Sequence, residues 1–345
     1  MKLNKVEIER YSRNIIFNEI GINGQKKLKK SSIAILGLGG IGSAAAIYLT
    51  CAGIGNIRLI DRDFVELNNI QRQILYDEED ARKHKLKAIA AKEKLESMNT
   101  NISIEAFAED FNPRTAEKLL KNVDLVIDAT DNMETRFLLN EVCVKQRKTF
   151  IYGAAIRDYG ALSTIIPGKT PCFRCIFKKI PEPGSLPTCD RVGVLNTVPG
   201  LIGILQATEA IKYLLGSSLL QSKLLYIHLG SMSFNFIDVK RDLHCPVCVK
   251  RKFQFLNQKI NRMQITMLCG GTTAQILFPS NFDVIKLRNE IINNPLFKIE
   301  KQSDYLLTLR YGKYQILISS FGRILIKNIE SEKEARDILN KIIGV

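Results

Sequence analysis

No uninterrupted apolar run in this chain of 345 residues approaches the roughly 20 residues that a membrane-spanning helix needs, which excludes a helical membrane protein. Residues Met1 to Arg13 alternate charged and apolar side chains without a hydrophobic stretch, so no secretory signal is expected. Histidine is scarce. His84, His228 and His244 are the full set, and each reads as an ordinary surface or strand position. No arginine-rich run interleaved with aromatics is present, which argues against nucleic acid as a ligand. Internal repeats and low-complexity segments are also missing. What the chain does have is a net charge of +15, from 50 Lys+Arg against 35 Asp+Glu. That excess suits phosphates or an acidic protein partner, or else a solvated lysine-rich surface. The 46% hydrophobic content supports a true core, and the length accommodates one large domain beside a smaller one.

Hydrophobic periodicity gives the organisation. Apolar strands at Ile33–Leu36, Ile57–Ile60, Ile102–Ala106, Leu125–Asp128 and 149–152 alternate with helices over 41–52, 85–98, from Pro113, and over 133–147. This alternation predicts a Rossmann-like parallel sheet flanked by helices, with ligand at the carboxyl ends of the strands. Beyond Ala161 the pattern changes to a strand at Leu162–Ile166, a loop rich in Pro, Gly and Cys from Pro167 to Gly200, a helix over 200–215, and strands near 224–229 and 233–239. A composition shift near Lys250–Asn261 marks a linker between a domain at 1–255 and a small α+β domain at 262–345. The latter reads as strands 264–268, 273–278, 305–311, 314–319 and 323–327, with helices over 281–293 and 331–343. Val284, Leu287 and Ile291, and Ala335, Ile338, Leu339 and Ile342, form apolar faces expected in its core.

The chemistry concentrates after the first strand. Gly37-Leu38-Gly39-Gly40-Ile41-Gly42 is a loop whose missing side chains let backbone approach phosphate, at the free N–H groups of the following helix. Asp61 closes the second strand, where a carboxylate can accept from ribose hydroxyls. These two features alone would fit a dinucleotide dehydrogenase. Arg72, following Asp61 so soon, points to a full triphosphate instead. Arg13 and Lys85 add basic groups, and Asp131 follows a strand end where it can hold Mg²⁺. Singly, Lys85 and Arg13 read as surface charges and Asp131 as a helix cap. Their joint order favours a site.

Eight cysteines in a chain without a signal point to metal binding rather than disulfides, and to the cytosol. Cys172-x-x-Cys175 and Cys245-x-x-Cys248 match a four-thiolate structural zinc site, which leaves no coordination position open for catalysis. Cys51 and Cys143 fall in helices and are expected in the core; Cys269 reads as structural. Cys189, beside Arg191 in a polar loop, is the thiol whose reactivity is open.

As a set these residues resemble the ubiquitin-activating-enzyme-like adenylyltransferases of the MoeB/ThiF/HesA family. The matching pieces are Arg10-Tyr11-Ser12-Arg13, the Gly37–Gly42 loop, Asp61-x-Asp63-x-Val65-x-x-x-Asn69-x-x-Arg72-Gln73, Lys85, Thr130-Asp131-Asn132, Gly153-Ala154-Ala155, both cysteine pairs and Thr188-Cys189, across about residues 7–250. The resemblance implies ATP-dependent adenylylation of the C-terminal glycine of a ubiquitin-like sulfur carrier of the MoaD/ThiS type ending in Gly-Gly, with ATP, Mg²⁺ and Zn²⁺ as cofactors. It implies that Arg72, Lys85 and Arg13 offset phosphate charge, that Asp131 holds Mg²⁺ and that Asp61 holds ribose. Gly37, Gly39, Gly40, Gly42, Asp63, Asn69, Gln73 and Asn132 would complete the nucleotide pocket. In this family the Arg13 counterpart reaches into the partner subunit's site, which implies a homodimer. Cys189 would lie on the loop crossing above the nucleotide, where some relatives form a thioester or acyl disulfide and others do not need the cysteine. A cysteine desulfurase or other sulfur donor would then be a further partner, on a route to molybdopterin, thiamine or thiolated tRNA. Activation for protein conjugation and a non-catalytic zinc scaffold for a ubiquitin-like protein are the alternatives. The C-terminal domain departs from relatives that append a rhodanese domain: it is too short, and no cysteine follows Cys269. It resembles the small strand–helix domains appended to some archaeal and bacterial members.

Overall fold

The computed structural model describes residues 2–181, 189–217, 222–258, 263–267, 272–278, 282–302, 306–320 and 322–343. Cys269 and the side chain of Cys189 lie outside the described residues. The chain divides into two compact units, one of residues 1–181 and 193–258, the other of residues 182–192 and 259–345. Among the described residues no helix is long and apolar enough to cross a membrane.

In the first unit, α1 (Lys5–Arg10), α2 (Ser12–Ile16) and α3 (Gly21–Lys30) precede β1 (Ser32–Leu36), α4 (Gly40–Ala52) and β2 (Asn56–Ile60). Then come α5 (Glu78–Arg82), α6 (Lys87–Met98), β3 (Ser103–Phe107), α7 (Ala116–Leu119), β4 (Leu125–Asp128), α8 (Met133–Gln146) and β5 (Thr149–Ile156). The remainder is β6 (Tyr159–Ile165), α9 (Phe173–Ile176), α11 (Thr197–Leu215), β7 (Lys223–His228) and β8 (Ser233–Asp238), while α10 (Cys189–Val192), between α9 and α11 in the chain, falls in the second unit.

These strands form one sheet in the order β3-β2-β1-β4-β5-β6-β7-β8. The first five run parallel, as their alternation with helices predicts. From β5 onward the pairing is antiparallel, because β5 and β6 are joined by only Arg157 and Asp158, far too short a link for a crossover. The expected parallel sheet is present in the first five strands, and an antiparallel half extends it. Strand order reverses between β1 and β4, and such a reversal leaves a crevice at the carboxyl ends of those two strands. Helix α4 is apolar on nearly all sides, with Ala44, Ala45, Ala46 and Leu49 buried, as befits a helix enclosed between a sheet and a second helix. A second layer of core packs Phe137 edge-on to Phe173 at 5.2 Å, with Phe150, Tyr152 and the paired cysteines in the same cluster.

The second unit holds β9 (Gln264–Met267), β10 (Thr273–Leu277), α12 (Val284–Ile291), β11 (Lys298–Gln302), β12 (Leu306–Tyr311), β13 (Tyr314–Ser319), β14 (Arg323–Lys327) and α13 (Glu332–Ile343). Its sheet, in the order β11-β12-β13-β14-β10-β9, is antiparallel throughout. The helix faces expected in the core are there: Val284, Leu287, Ile291, Ala335, Ile338, Leu339 and Ile342 are all buried. Strand β11 was not expected. It carries a single apolar residue, Ile299, and is made a strand by pairing with β12.

Candidate functional site

The glycine loop stands at the crevice between β1 and β4. Gly37 leaves β1 with φ +87°, and a Cβ on it would stand 2.6 Å from the Ala129 carbonyl oxygen, so the glycine loop lies directly on the end of β4. A Cβ on Gly42 would meet the Gly37 carbonyl oxygen at 1.9 Å. Gly39 differs. Its nearest neighbour would be Gln73 Nε2 at 3.8 Å, so protein packing does not demand a glycine there, and close approach by a ligand is the remaining reason for one. Gly39 is also the N-cap of α4 and offers no side-chain cap, which leaves the first N–H groups of that helix open to an anion. A nucleotide phosphate fits this cradle.

Asp61 extends from the end of β2 under the loop. Its Oδ2 accepts from the Leu38 N–H at 2.7 Å and its Oδ1 from the Asp63 N–H at 2.7 Å. Burial pushes its carboxyl above the ordinary value, against the charge of Lys87. Arg72 lies on the other flank. Its carbonyl oxygen would be 3.1 Å from a Cβ on Gly40, and its Nη1 donates to the Asn68 carbonyl at 2.9 Å. Gln73 beside it is buried, with Oε1 left without a hydrogen-bond partner among the described residues. Asn69 is buried and turned inward: its Oδ1 accepts from the Glu66 N–H, so it braces the loop.

Lys85, the lysine the sequence singled out, and Lys87, which it did not, have different surroundings. Lys85 Nζ lies 2.6 Å from Glu93 and 3.2 Å from Asp80. Lys87 is buried, with Nζ 3.7 Å from Asp63. Burial opposes its charge, yet Asp63, Asp61 and Asp131 outweigh that and hold the ammonium above its ordinary value. The difference comes from where the helix starts. The expected helix over 85–98 begins at Lys87 instead, because Leu86 is its extended N-cap and pairs antiparallel with Phe64. That pairing lays Lys87 against Asp63: its N–H donates to the Asp63 carbonyl at 2.8 Å.

Asp131 is exposed just past β4, and it is not the cap of α8. Asn132 takes that place, its Oδ1 accepting from the Thr135 N–H at 2.8 Å. Asp131 is thereby left off the helix end, its charge felt by Lys87 and its carboxylate available to a hard cation, while the Asn132 carboxamide oxygen is committed to the helix. Arg13 sits exposed on α2; no hydrogen bond ties it to the crevice of its own chain among the described residues. Tyr11, two residues earlier, is buried, with its OH accepting from Asn99 Nδ2 at 2.8 Å.

The four cysteines of the two pairs converge. Their Sγ atoms all lie within 4.8 Å of one another. Separations of 3.8 Å (Cys172–Cys175), 3.6 Å (Cys172–Cys245) and 3.6 Å (Cys175–Cys248) are those of a sulfur tetrahedron. Four thiolates at about 2.3 Å from one zinc stand roughly 3.8 Å apart, so the donor set fits that ion. Hydrogen bonds from Cys172 and Cys175, and from Arg241, favour the thiolate at Cys248. Cys143 is buried, but Cys51, expected in the core, is exposed on α4.

The chain matches the ThiF family over residues 11–247 and belongs to it. It is 34% identical over 340 residues to the sulfur carrier protein ThiS adenylyltransferase of Bacillus subtilis, covering 97% of this chain and 99% of that one. It is 36% identical over 249 residues to the SAMP-activating enzyme E1 of Haloferax volcanii, covering 72% of this chain and 91% of the relative. Among solved structures, E. coli MccB with succinimide superposes with a TM-score of 0.63 at 27% identity, over 71% of this chain and 75% of that one.

Proposed function

We propose that this chain catalyses ATP-dependent adenylylation of the C-terminal glycine of a ubiquitin-like sulfur carrier. The observation that carries the reading is an uncapped helix N-terminus at the reversal of strand order, with the Arg72 backbone against Gly40 and Lys87 kept charged by Asp63, Asp61 and Asp131. In the reaction a carboxylate oxygen of the carrier's terminal glycine bonds to the α-phosphorus. The bond from that phosphorus to the bridging oxygen breaks, and pyrophosphate leaves with the electron pair. No proton moves in this step, which suits a site of cations with no histidine. Catalysis there is positioning plus stabilisation of charge on phosphate oxygens.

The α4 N-terminus and Gly39 would receive phosphate oxygens. Arg72 and Lys87 would meet charge developing on the phosphates, and Asp131 would hold Mg²⁺ against them. Asp61 holds the loop through the Leu38 N–H and keeps lone pairs for ribose hydroxyls. Arg13 would act on the site of a second copy in a homodimer. Zinc at the four cysteines ties the start of the cysteine-rich loop to the segment after β8 and supplies structure only.

The match to the Bacillus relative includes the accessory unit, which the Haloferax match over 72% of the chain cannot span in full. A ThiS-type carrier is therefore the first to test. The experiment is ATP–pyrophosphate exchange with the purified chain and each small Gly-Gly-ending protein of the same organism. Exchange with one carrier establishes the reaction and the route; no exchange with any refutes the reading. Cys189→Ala should leave exchange intact and block sulfur delivery if the thiol carries the activated carrier onward. Unchanged delivery would remove it from the mechanism.

A further inference from the structure

Directly beneath Asp131 lies a charged pair that no motif marks. Asp128, at the end of β4, is fully buried, and Arg136, one turn into α8, is nearly so. Asp128 Oδ1 accepts from the Thr130 N–H at 3.1 Å and from the Thr130 hydroxyl at 2.8 Å. Arg136 Nη2 donates to the Thr130 carbonyl and, at 3.2 Å, to the Gly153 carbonyl on β5. Both ends of Thr130 are thus held by side chains, and the peptide that leads into Asp131 has its oxygen fixed. The guanidinium lies 5.2 Å from the centre of the Tyr152 ring, which sets its plane. Gln206 of α11 ties the same two strands, donating to the Asp128 carbonyl at 2.7 Å and the Ile151 carbonyl at 2.8 Å.

The pair is poorly made as an ion pair. Asp128 Oδ2 and Arg136 Nε stand 3.9 Å apart, and each is buried without a hydrogen-bond partner among the described residues. Two buried charges that do not close on each other carry a desolvation cost that well-packed apolar side chains of the same volume would avoid. Stability does not account for them; geometry does. Nη2 of Arg136 bridges the Thr130 carbonyl, just past β4, and the Gly153 carbonyl on β5 from the end of a rigid planar group, a geometry that a flexible lysine or an apolar residue does not reproduce.

We propose that Arg136 is a positioning residue, one that fixes the Thr130–Asp131 peptide and so aims the Asp131 carboxylate at the metal of a bound metal–nucleotide. Asp128 orients Arg136 and holds the other end of Thr130. This inference rests on the role given to Asp131 above, and its test does not depend on turnover.

The test is calorimetric titration of the full chain with ATP, in the absence and presence of Mg²⁺, for wild type, Asp131→Ala, Arg136→Lys, Arg136→Gln and the double variant Asp128→Asn/Arg136→Gln. The double variant guards against misfolding, since it leaves no unpaired buried charge. Mg²⁺ should tighten ATP binding to wild type. Each Arg136 variant should lose about tenfold or more of that gain, the range for groups that orient a metal ligand, with metal-free ATP affinity unchanged. Arg136→Lys should keep the wild-type melting temperature and still lose the gain, because it restores the charge without the planar guanidinium that Tyr152 and the two carbonyls hold. A folded Arg136 variant with the full gain, its recovery by lysine, or a wild type with no Mg²⁺ effect would overturn the proposal. Wild type that shows the gain but exchanges pyrophosphate with no carrier would overturn the proposed reaction and leave this inference standing.

Discussion

The interiors of the two units are built on different rules. In the accessory unit the fully buried positions of the sheet are Ala274, Ile276, Leu307, Leu309, Ile316, Ile318, Ile324 and Ile326, an aliphatic core with alternating strands around it. In the nucleotide-type unit the interior near the strand ends contains Asp128, Arg136, Gln206 and Gln73, each with a buried polar atom that finds no partner among the described residues. The first arrangement is what burial alone selects. The second violates that selection, and it does so beside the glycine loop and Asp131. Sites where the ordinary rules fail are where a protein gives up stability for geometry.

The largest expected effect would break the nucleotide-type unit itself. Cys175→Ser should abolish zinc binding and lower the melting temperature by about 10 °C or more, since metal binding in such sites is folding free energy. Metal content measured by mass spectrometry at the wild-type level would sink the four-thiolate site. Next, Arg72→Ala and Asp131→Ala should each lower carrier-dependent pyrophosphate exchange by about 10²–10³-fold with little change in melting temperature. Near-wild-type exchange in either would displace the site from this crevice.

The two lysines sharpen the comparison within one segment. Lys87→Ala should lower exchange by about 10²-fold. Lys85→Ala, which removes the pairing to buried Asp80 and exposed Glu93, should stay within about threefold of wild type. Equal losses would erase the distinction that the start of α6 makes. For the accessory unit, Ile318→Ala should destabilise by about 2–5 kcal/mol through cavity formation and leave exchange unaltered. A parallel fall in exchange would show the accessory core to be part of the catalytic device.

The smallest effect is a difference in sign. In the accessory unit, hydrogen bonds from Gln315 and Arg310 hold the Glu300 carboxyl below its ordinary value. Its contribution is present above about pH 4.3 and is lost as pH falls through the lowered native value. In the other unit burial pushes Asp61 and Asp128 up, so the native state there binds protons more readily. Their contribution to stability declines as pH rises from about 3.9 through the raised native values. Glu300→Gln should flatten the acid limb of the accessory unit alone, as followed by denaturant titration between about pH 3 and pH 6. The same flattening in both units would contradict the assignment.

The sequence alone determined the elements whose cause is local. The alternation of apolar strands and helices through β5, the glycine turn after β1, the spacing of the two cysteine pairs and the buried faces of α12 and α13 all follow from spacing within a few residues. Only the tertiary structure chose between candidates of equal local merit. Lys85 and Lys87 are separated by one residue; the bridge of Leu86 to Phe64, between two stretches of chain remote in sequence, decides which of them meets Asp63. Asp131 and Asn132 are both good helix caps, and the geometry of α8 uses the second and leaves the first free. The antiparallel half of the main sheet and the strand at Lys298–Gln302 owe their form to a neighbour that supplies hydrogen bonds, not to their own composition. Asp128 and Arg136 carry no pattern at all, because a side chain one turn along a helix is brought to the next strand's carbonyl only by packing. Periodicity records which face of an element is buried; it does not record which atom of another element waits there.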